Sequence, residues 1–344
     1  MRVAPGALAA VLVAICSASN ALADNPANPP ASACDRLAAS PEDATRPAGT
    51  VGIDDNLIDA AQAVPACRAA LAASPNDPRL AYQLARALEK AGVEGEPSDL
   101  YRKAAEAGHP AAMTVLGDLY ESGDGIPKDD AEAVRWYRNA ADAGFARAMT
   151  SLGAMFANGL GAPKDLVEAA RWFRKGADAG DSQAMTRLGV MFANGWGVAK
   201  DGAEATRWYR KAAQAGDASA MTSLGLIYAN GIEAPKDETE ALRWFRRAAE
   251  AGDAAGMNDL AVMHESGAGG LSKDEAEAMR WYRKAAEAGN AAGMATLALS
   301  YETGAGGTPK DAAQALLWYR KAAALGEERA IAALKRLSPD AKSP

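Results

Sequence analysis

Two histidines, His109 and His264, are the only imidazoles in 344 residues, so acid–base or metal chemistry has few places to begin. His264 and Glu265 open like the H-E-x-x-H pair that seats zinc on one helix face. Position 268 is Ala268, however, so the second ligand is missing and the stretch runs into glycines. No serine is followed three residues later by lysine, which removes the S-x-x-K nucleophile–base pair. The G-x-G loops at Gly159 and Gly161, and at Gly195 and Gly197, lack a preceding strand and a third glycine in register. They read as inter-helix turns rather than phosphate cradles. The sequence therefore predicts no catalytic residue, no metal and no cofactor, and points to binding rather than turnover.

The frame behind these residues is periodic. The stretch 148–181, AMTSLGAMFANGLGAPKDLVEAARWFRKGADAGD, reappears 36 residues on at 184–217. Trp136, Trp172, Trp208, Trp244, Trp281 and Trp318 mark the period. Self-similarity at this length indicates stacked supersecondary units, none able to bury its apolar face alone. Each unit reads as two helices. Met149, Leu152 and Phe156 recur at spacings of three and four on the first, which Asn158 and Gly159 stop. Asp165 is placed to cap the second, whose stripe is Ala169, Trp172, Phe173 and Ala177, with Gly180 at its end. A glycine inside the first helix costs about 1 kcal/mol against alanine. Its recurrence at Gly117, Gly153, Gly189 and Gly225 predicts close helix packing.

The pattern A-M-x-x-L-G-x-x-[YF]-x-x-G, then K-D-x-x-x-A-x-x-W-[YF]-x-x-A-A-x-x-G, resembles the Sel-one-like repeat (SLR) family, relatives of the tetratricopeptide repeat. The resemblance implies an all-α, right-handed α/α superhelical solenoid of helix-turn-helix repeats. Six copies are expected over residues 110–326. The last two depart from the pattern: Gly256 with Ala261, and Gly293 with Ala298, exchange the first alanine and the helix glycine, and each loop gains a residue. Some SLR proteins have been called β-lactamase-like, a label that the missing S-x-x-K motif opposes.

Around the repeats, residues 1–23 read as a signal peptide: Arg2, an apolar Ala7–Ile15 run, and Ala21-Leu22-Ala23 before Asp24. Cys16 follows Ile15, where lipoprotein processing requires a small residue. Residues 24–64 are expected to be a Pro-rich linker and an irregular segment, with a short helix near 57–63 and another from Pro65. Residues 65–109 read as a tetratricopeptide-like cap, and 327–344 as a closing helix and tail. The net charge is −7. Arg2 is the only charge in the leader, so the chain from Asp24 carries 36 basic and 44 acidic residues, a net −8. That balance opposes nucleic-acid binding, and no second apolar run is long enough to span a membrane. Export leaves Cys34 and Cys67 in an oxidising compartment, where a disulfide is expected.

By analogy with tetratricopeptides, the first helix of each unit lines the concave face. Projecting the register puts Arg147, Thr150 and Asn158 there, then Gln183, Thr186 and Asn194, then Ser219, Thr222 and Asn230. Such a ladder of amides and hydroxyls offers donors and acceptors to an extended peptide. Alternatively, each asparagine only terminates its helix before glycine. Trp196 stands where other units have Asp124, Leu160 and Ile232, so the scaffold does not demand an aromatic. It is a hot-spot candidate, or it packs on a neighbouring loop. Arginines flank Trp136, Trp172, Trp208 and Trp244, but Glu132, Glu168, Glu204 and Glu240, three residues before the first arginine of each pair, predict a self-neutralised face. The expected protein is a periplasmic, monomeric, non-enzymatic scaffold or regulator that binds a cell-envelope protein or peptide. A secreted host-interaction factor and a cell-wall or β-lactam hydrolase are the alternatives.

Overall fold

The computed structural model describes residues 30–337. The expected signal peptide and the tail from Ser338 lie outside the described residues. Every long element among those residues is a helix, and the chain divides into two compact units, residues 1–100 and 101–344.

In the first unit, helices α1 (Pro30–Ala38), α2 (Ala60–Ala73) and α3 (Pro78–Lys90) pack mutually. Two expectations need correcting here. The Pro-rich stretch gives way to a helix at Pro30, where proline suits the first turn because its missing N–H would have no helical partner. The segment from Ala60 is one helix that carries Pro65 inside it, preceded by a short 3-10 turn at Asp55–Leu57. The boundary placed at residue 65 therefore falls within α2. Cys34 and Cys67 form a disulfide with Cα atoms 4.6 Å apart, and both are fully buried. The loop between α1 and α2 is held by Arg86, a buried side chain of α3. Its guanidinium donates to Asp55 Oδ1, to Ala38 O and to Ile53 O, each at 2.7 Å. Arg79 pairs with the buried Asp35, and Gln83 Nε2 donates to the same carboxylate at 2.9 Å. Backbone that makes few bonds to itself is thus satisfied by one face of α3.

Helix α4 (Glu96–Glu106) leads into six hairpins of nearly constant length. Their first helices are α5 (Pro110–Ser122), α7 (Ala146–Asn158), α9 (Ser182–Asn194), α11 (Ala218–Asn230), α13 (Ala254–Ser266) and α15 (Ala291–Thr303). The second helices are α6 (Asp130–Asp142), α8 (Leu166–Asp178), α10 (Gly202–Gln214), α12 (Glu238–Glu250), α14 (Glu275–Glu287) and α16 (Ala312–Ala324). A last helix, α17 (Glu328–Leu337), packs on α16. From α5 to α17 each helix contacts the next, the nearest-neighbour arrangement of an α-solenoid. First helices also meet across units, α7 with α9 and α11 with α13, whereas no two second helices approach to the same extent.

The sequence pattern explains the hairpin. Asp129, Asp165, Asp201, Asp237, Asp274 and Asp311 cap the second helices, each accepting from backbone N–H groups of the first turn. Such caps contribute about 1 kcal/mol apiece. The helix glycines mark contacts too close for a methyl group. A Cβ on Gly225 would lie 2.4 Å from the Phe245 ring, and one on Gly189 would lie 2.7 Å from Tyr209. Where the ring is Tyr137, Tyr282 or Tyr319, the buried phenol needs a partner. Glu121, Glu265 and Glu302 supply carboxylates at 2.6–2.8 Å. Units with Phe173 and Phe245 have alanine at the matching position; so does the unit with Tyr209, whose hydroxyl turns to Ser223 instead.

The flanking arginines are spent within the scaffold. Glu168 accepts from Arg171 Nη1 at 3.2 Å and from Trp172 Nε1 at 2.9 Å, and Glu204 repeats this with Arg207 and Trp208. Arg174 lies over both Phe192 and Trp208 of the next unit, joining neighbours by cation–π contact.

One loop breaks the pattern. Glu233 is the only non-glycine residue with positive φ, at 59°, among the described residues, and it occupies the register of Gly161 and Gly197. The compensation lies one unit earlier. A Cβ on Gly202 would sit 2.1 Å from the Glu233 side chain, so glycine there makes room for it. Left-handed backbone costs a non-glycine residue roughly 1–2 kcal/mol. Glu233→Gly is therefore expected to raise stability by about 1 kcal/mol, read as a higher urea midpoint. An unchanged or lower midpoint would show that the Glu233 side chain offsets its own backbone cost.

Candidate functional site

The first helices carry the surface available for recognition, and the structure sorts the predicted ladder into three groups. Asn158, Gln183, Asn194, Ser219 and Asn230 are exposed. Asn194 and Asn230 turn one amide back on their own helix, donating to Val190 O at 2.8 Å and Leu226 O at 2.9 Å. Arg147 is exposed but engaged, with Nη2 donating to Asp118 Oδ2 at 2.7 Å. Burial raises the Asp118 carboxyl above its usual range, opposed by Arg147.

The threonines correct the expectation. Thr150 and Thr222 are only 7% and 6% exposed, and Thr186 is half-buried. Thr150 donates to Ala146 O and Thr186 to Ser182 O, while Thr222 donates to Asp253 Oδ1 at 2.8 Å. Asp253 caps α13, so Thr222 braces the start of the next unit. The reason is angular. Positions 147, 151, 154 and 158 share one helix face, and position 150 lies roughly 60° round from it, towards the following unit.

That face carries a feature the ladder did not include. Ala154, Val190, Leu226, Val262 and Leu299 share one register position on successive first helices. Leu226, Val262 and Leu299 are 43%, 44% and 49% exposed. Aliphatic side chains this open contribute little to the fold, yet they recur unit after unit. The signal was present in the sequence as a column through the repeats, visible only once the outward face is known.

Trp196 is half exposed and stands at the rim of a cavity of about 490 Å³ between the units 146–181 and 182–217. Ala154, Phe173, Val190 and Met191 give it apolar walls. Asn158, Lys164 and Arg187 supply the polar groups, and no carboxylate lines it. Neither Lys164 nor Arg187 forms an ion pair among the described residues.

The histidines are accounted for locally. His109 is buried and its Nδ1 accepts from Ala112 N, capping α5; His264 lies inside α13. No group of three His, Cys, Asp or Glu side chains among the described residues is arranged to hold a metal. No described helix is long and apolar enough to cross a membrane.

Comparison with known proteins follows this geometry. The family model "Sel1 repeat" matches residues 99–109, 110–145, 146–181, 182–217, 218–253, 254–290 and 291–327. The first match overlaps most of α4 and supplies a seventh, partial repeat inside the segment assigned to the cap. A Sel1 repeat protein from Oxalobacter formigenes is 35% identical over 70% of this chain and 98% of its own, with a TM-score of 0.65. A protective antigen with an SLR fold from uropathogenic Escherichia coli is 30% identical over 80% of this chain and 67% of its own, with a TM-score of 0.54. No curated protein matches the chain.

Proposed function

The chain belongs to the Sel1 repeat family, and from that membership we propose that it is an exported scaffold holding a protein or peptide along its first helices. Sel1 repeat proteins typically act as protein–protein interaction scaffolds and are generally non-enzymatic. The observation that carries the reading here is the recurrent aliphatic column Leu226, Val262 and Leu299, exposed on successive first helices. Apolar groups left open in a row by a scaffold that does not need them suit a partner that covers them. The partner is taken to be a component of the cell envelope, and the protein to act as a monomer. Export rests on the charge and small-x-small pattern of residues 1–23, and the Cys34–Cys67 disulfide is compatible with an oxidising compartment.

The test is crosslinking in intact cells with wild type and the triple variant Leu226→Ser/Val262→Ser/Leu299→Ser. One envelope protein captured by the wild type and reduced about tenfold in a folded variant would support the reading. Equal capture by both would remove the column from the account. N-terminal sequencing of the exported form should begin at Asp24; a chain retaining Met1 would refute export through this leader.

A second reading has one observation behind it. The E. coli relative is described as a protective antigen. By likeness, this chain would be a secreted host-interaction factor. Fractionation separates the two: the periplasmic extract should hold the protein, and recovery mainly from the medium favours the second reading.

A further inference from the structure

A solenoid samples each scaffold position several times, so residues the fold does not need can be recognised by comparing units. Arg187 stands where the other full units have Val115, Ser151, Ser223, Asp259 and Thr296. Trp196 stands where they have Asp124, Leu160 and Ile232. Neither is required by the hairpin, and both line the same cavity. Two independent departures meeting in one concavity mark that cavity as selected for something other than folding.

Its chemistry is specific. The walls are apolar, and the Trp196 indole offers a half-exposed aromatic face. Around 490 Å³ falls within the roughly 300–1,000 Å³ of small-ligand sites, enough for one large side chain and its flanking backbone. The ionic groups at the rim are cationic, Lys164 and Arg187, in a chain whose net charge is −7. Arginine presents a planar fork that matches a carboxylate. Asn158 Oδ1 and Nδ2 add one acceptor and a donor pair suited to a peptide group. Val190 belongs both to the cavity wall and to the aliphatic column, so the site is continuous with that surface.

We propose that the Trp196 cavity takes an aromatic or large aliphatic side chain from an acidic segment of the partner, with Arg187 and Lys164 holding the carboxylate of an adjacent Asp or Glu. This rests on the scaffold reading and adds to it the site and the chemical class of the bound segment.

The experiment uses the whole exported chain and hexapeptides amidated at the C-terminus and capped at the N-terminus by an uncharged boron-dipyrromethene dye, so that only side-chain carboxylates remain. Each carries one Phe, Trp or Leu beside two glutamates. Matched controls replace the large residue by alanine or the glutamates by glutamine. The protein variants are Trp196→Leu and Arg187→Ser, which restore residues the repeat already uses elsewhere, so both should melt with the wild type. Anisotropy should show the acidic peptides binding the wild type, with each variant and each control weaker by about tenfold. Binding should also weaken with added salt, and Arg187→Ser should flatten that dependence. Absence of binding by every panel member at about 1 mM would overturn the proposal. So would equal binding to wild type and both folded variants. If cellular crosslinking still captures the same partner in both variants, the scaffold reading stands and the cavity assignment falls. If the wild type captures nothing, the scaffold reading itself falls.

Discussion

Replacing Leu188 by alanine is expected to cost about 3–4 kcal/mol, and to do so in one place. Leu188 is 1% exposed and lies in the apolar cluster that includes Leu152, Phe173, Met191 and Trp208. Buried Leu→Ala changes cost roughly 2.7–5 kcal/mol, more where the surroundings cannot collapse. Here the walls are helix backbones already brought close by Gly189 and Ala184, so little collapse is available. In a globular core such a loss is shared by the whole domain. In a stack it falls on one unit and its two interfaces. The urea transition of Leu188→Ala should therefore broaden or split, while amides in 254–327 keep their protection in hydrogen exchange. A single sharp transition, shifted as a whole, would mean that the stack unfolds as one cooperative body.

Loss of the Cys34–Cys67 bond is expected to destabilise the first unit by about 3–4 kcal/mol, from the entropy of a loop closed over a separation of 33 residues. Two buried cysteines there pack against Ala38, Ala63 and Leu84, and the loop they close contains the irregular stretch that Arg86 holds. Without the bond, Asp35 must keep Arg79 and Gln83 through packing alone, and separating a buried carboxylate from its donors is costly. The Cys34→Ser/Cys67→Ser variant should lose protection in residues 30–90 while the hairpins from α5 onward stay folded. Unchanged exchange in the first unit would assign the work of holding that loop to Arg86 instead.

The repeat architecture was legible because physical necessity is written there many times over. Asp165 caps a helix, Gly153 sits against Phe173, and Trp172 recurs every 36 or 37 residues, so each inference is checked by its neighbours. The first unit was harder. Near Pro65 the local signals conflict: Asp59 is the cap where α2 begins, but Pro65 reads as a second start, and the contacts with α1 and α3 that make one helix of the two are non-local. Within the candidate surface only the threonine column was misplaced, since Arg147, Asn158, Gln183, Asn194, Ser219 and Asn230 are exposed. Thr150 and Thr222 look like free polar side chains in a periodic column, yet a 3.6-residue period tolerates a roughly 60° error without changing which residues are apolar. Trp196 was legible as an exception to its column. Arg187 was not singled out, because a lone arginine on a helix is ordinary until a cavity is seen beside it.

The exchange between Glu233 and Gly202 has a consequence for how arrays of this kind can change length. Repeats look interchangeable, and duplication or deletion of a whole unit is the obvious route to a longer or shorter stack. Here the accommodating residue lies in one unit and the residue it accommodates in the next. Excising residues 182–217 would bring Leu166 to the place of Gly202, where the Glu233 side chain would have to leave its present position. The true module at this joint is therefore a pair. A lineage or designer that trims this array at that unit does better to change Glu233 in the same step, or to cut elsewhere.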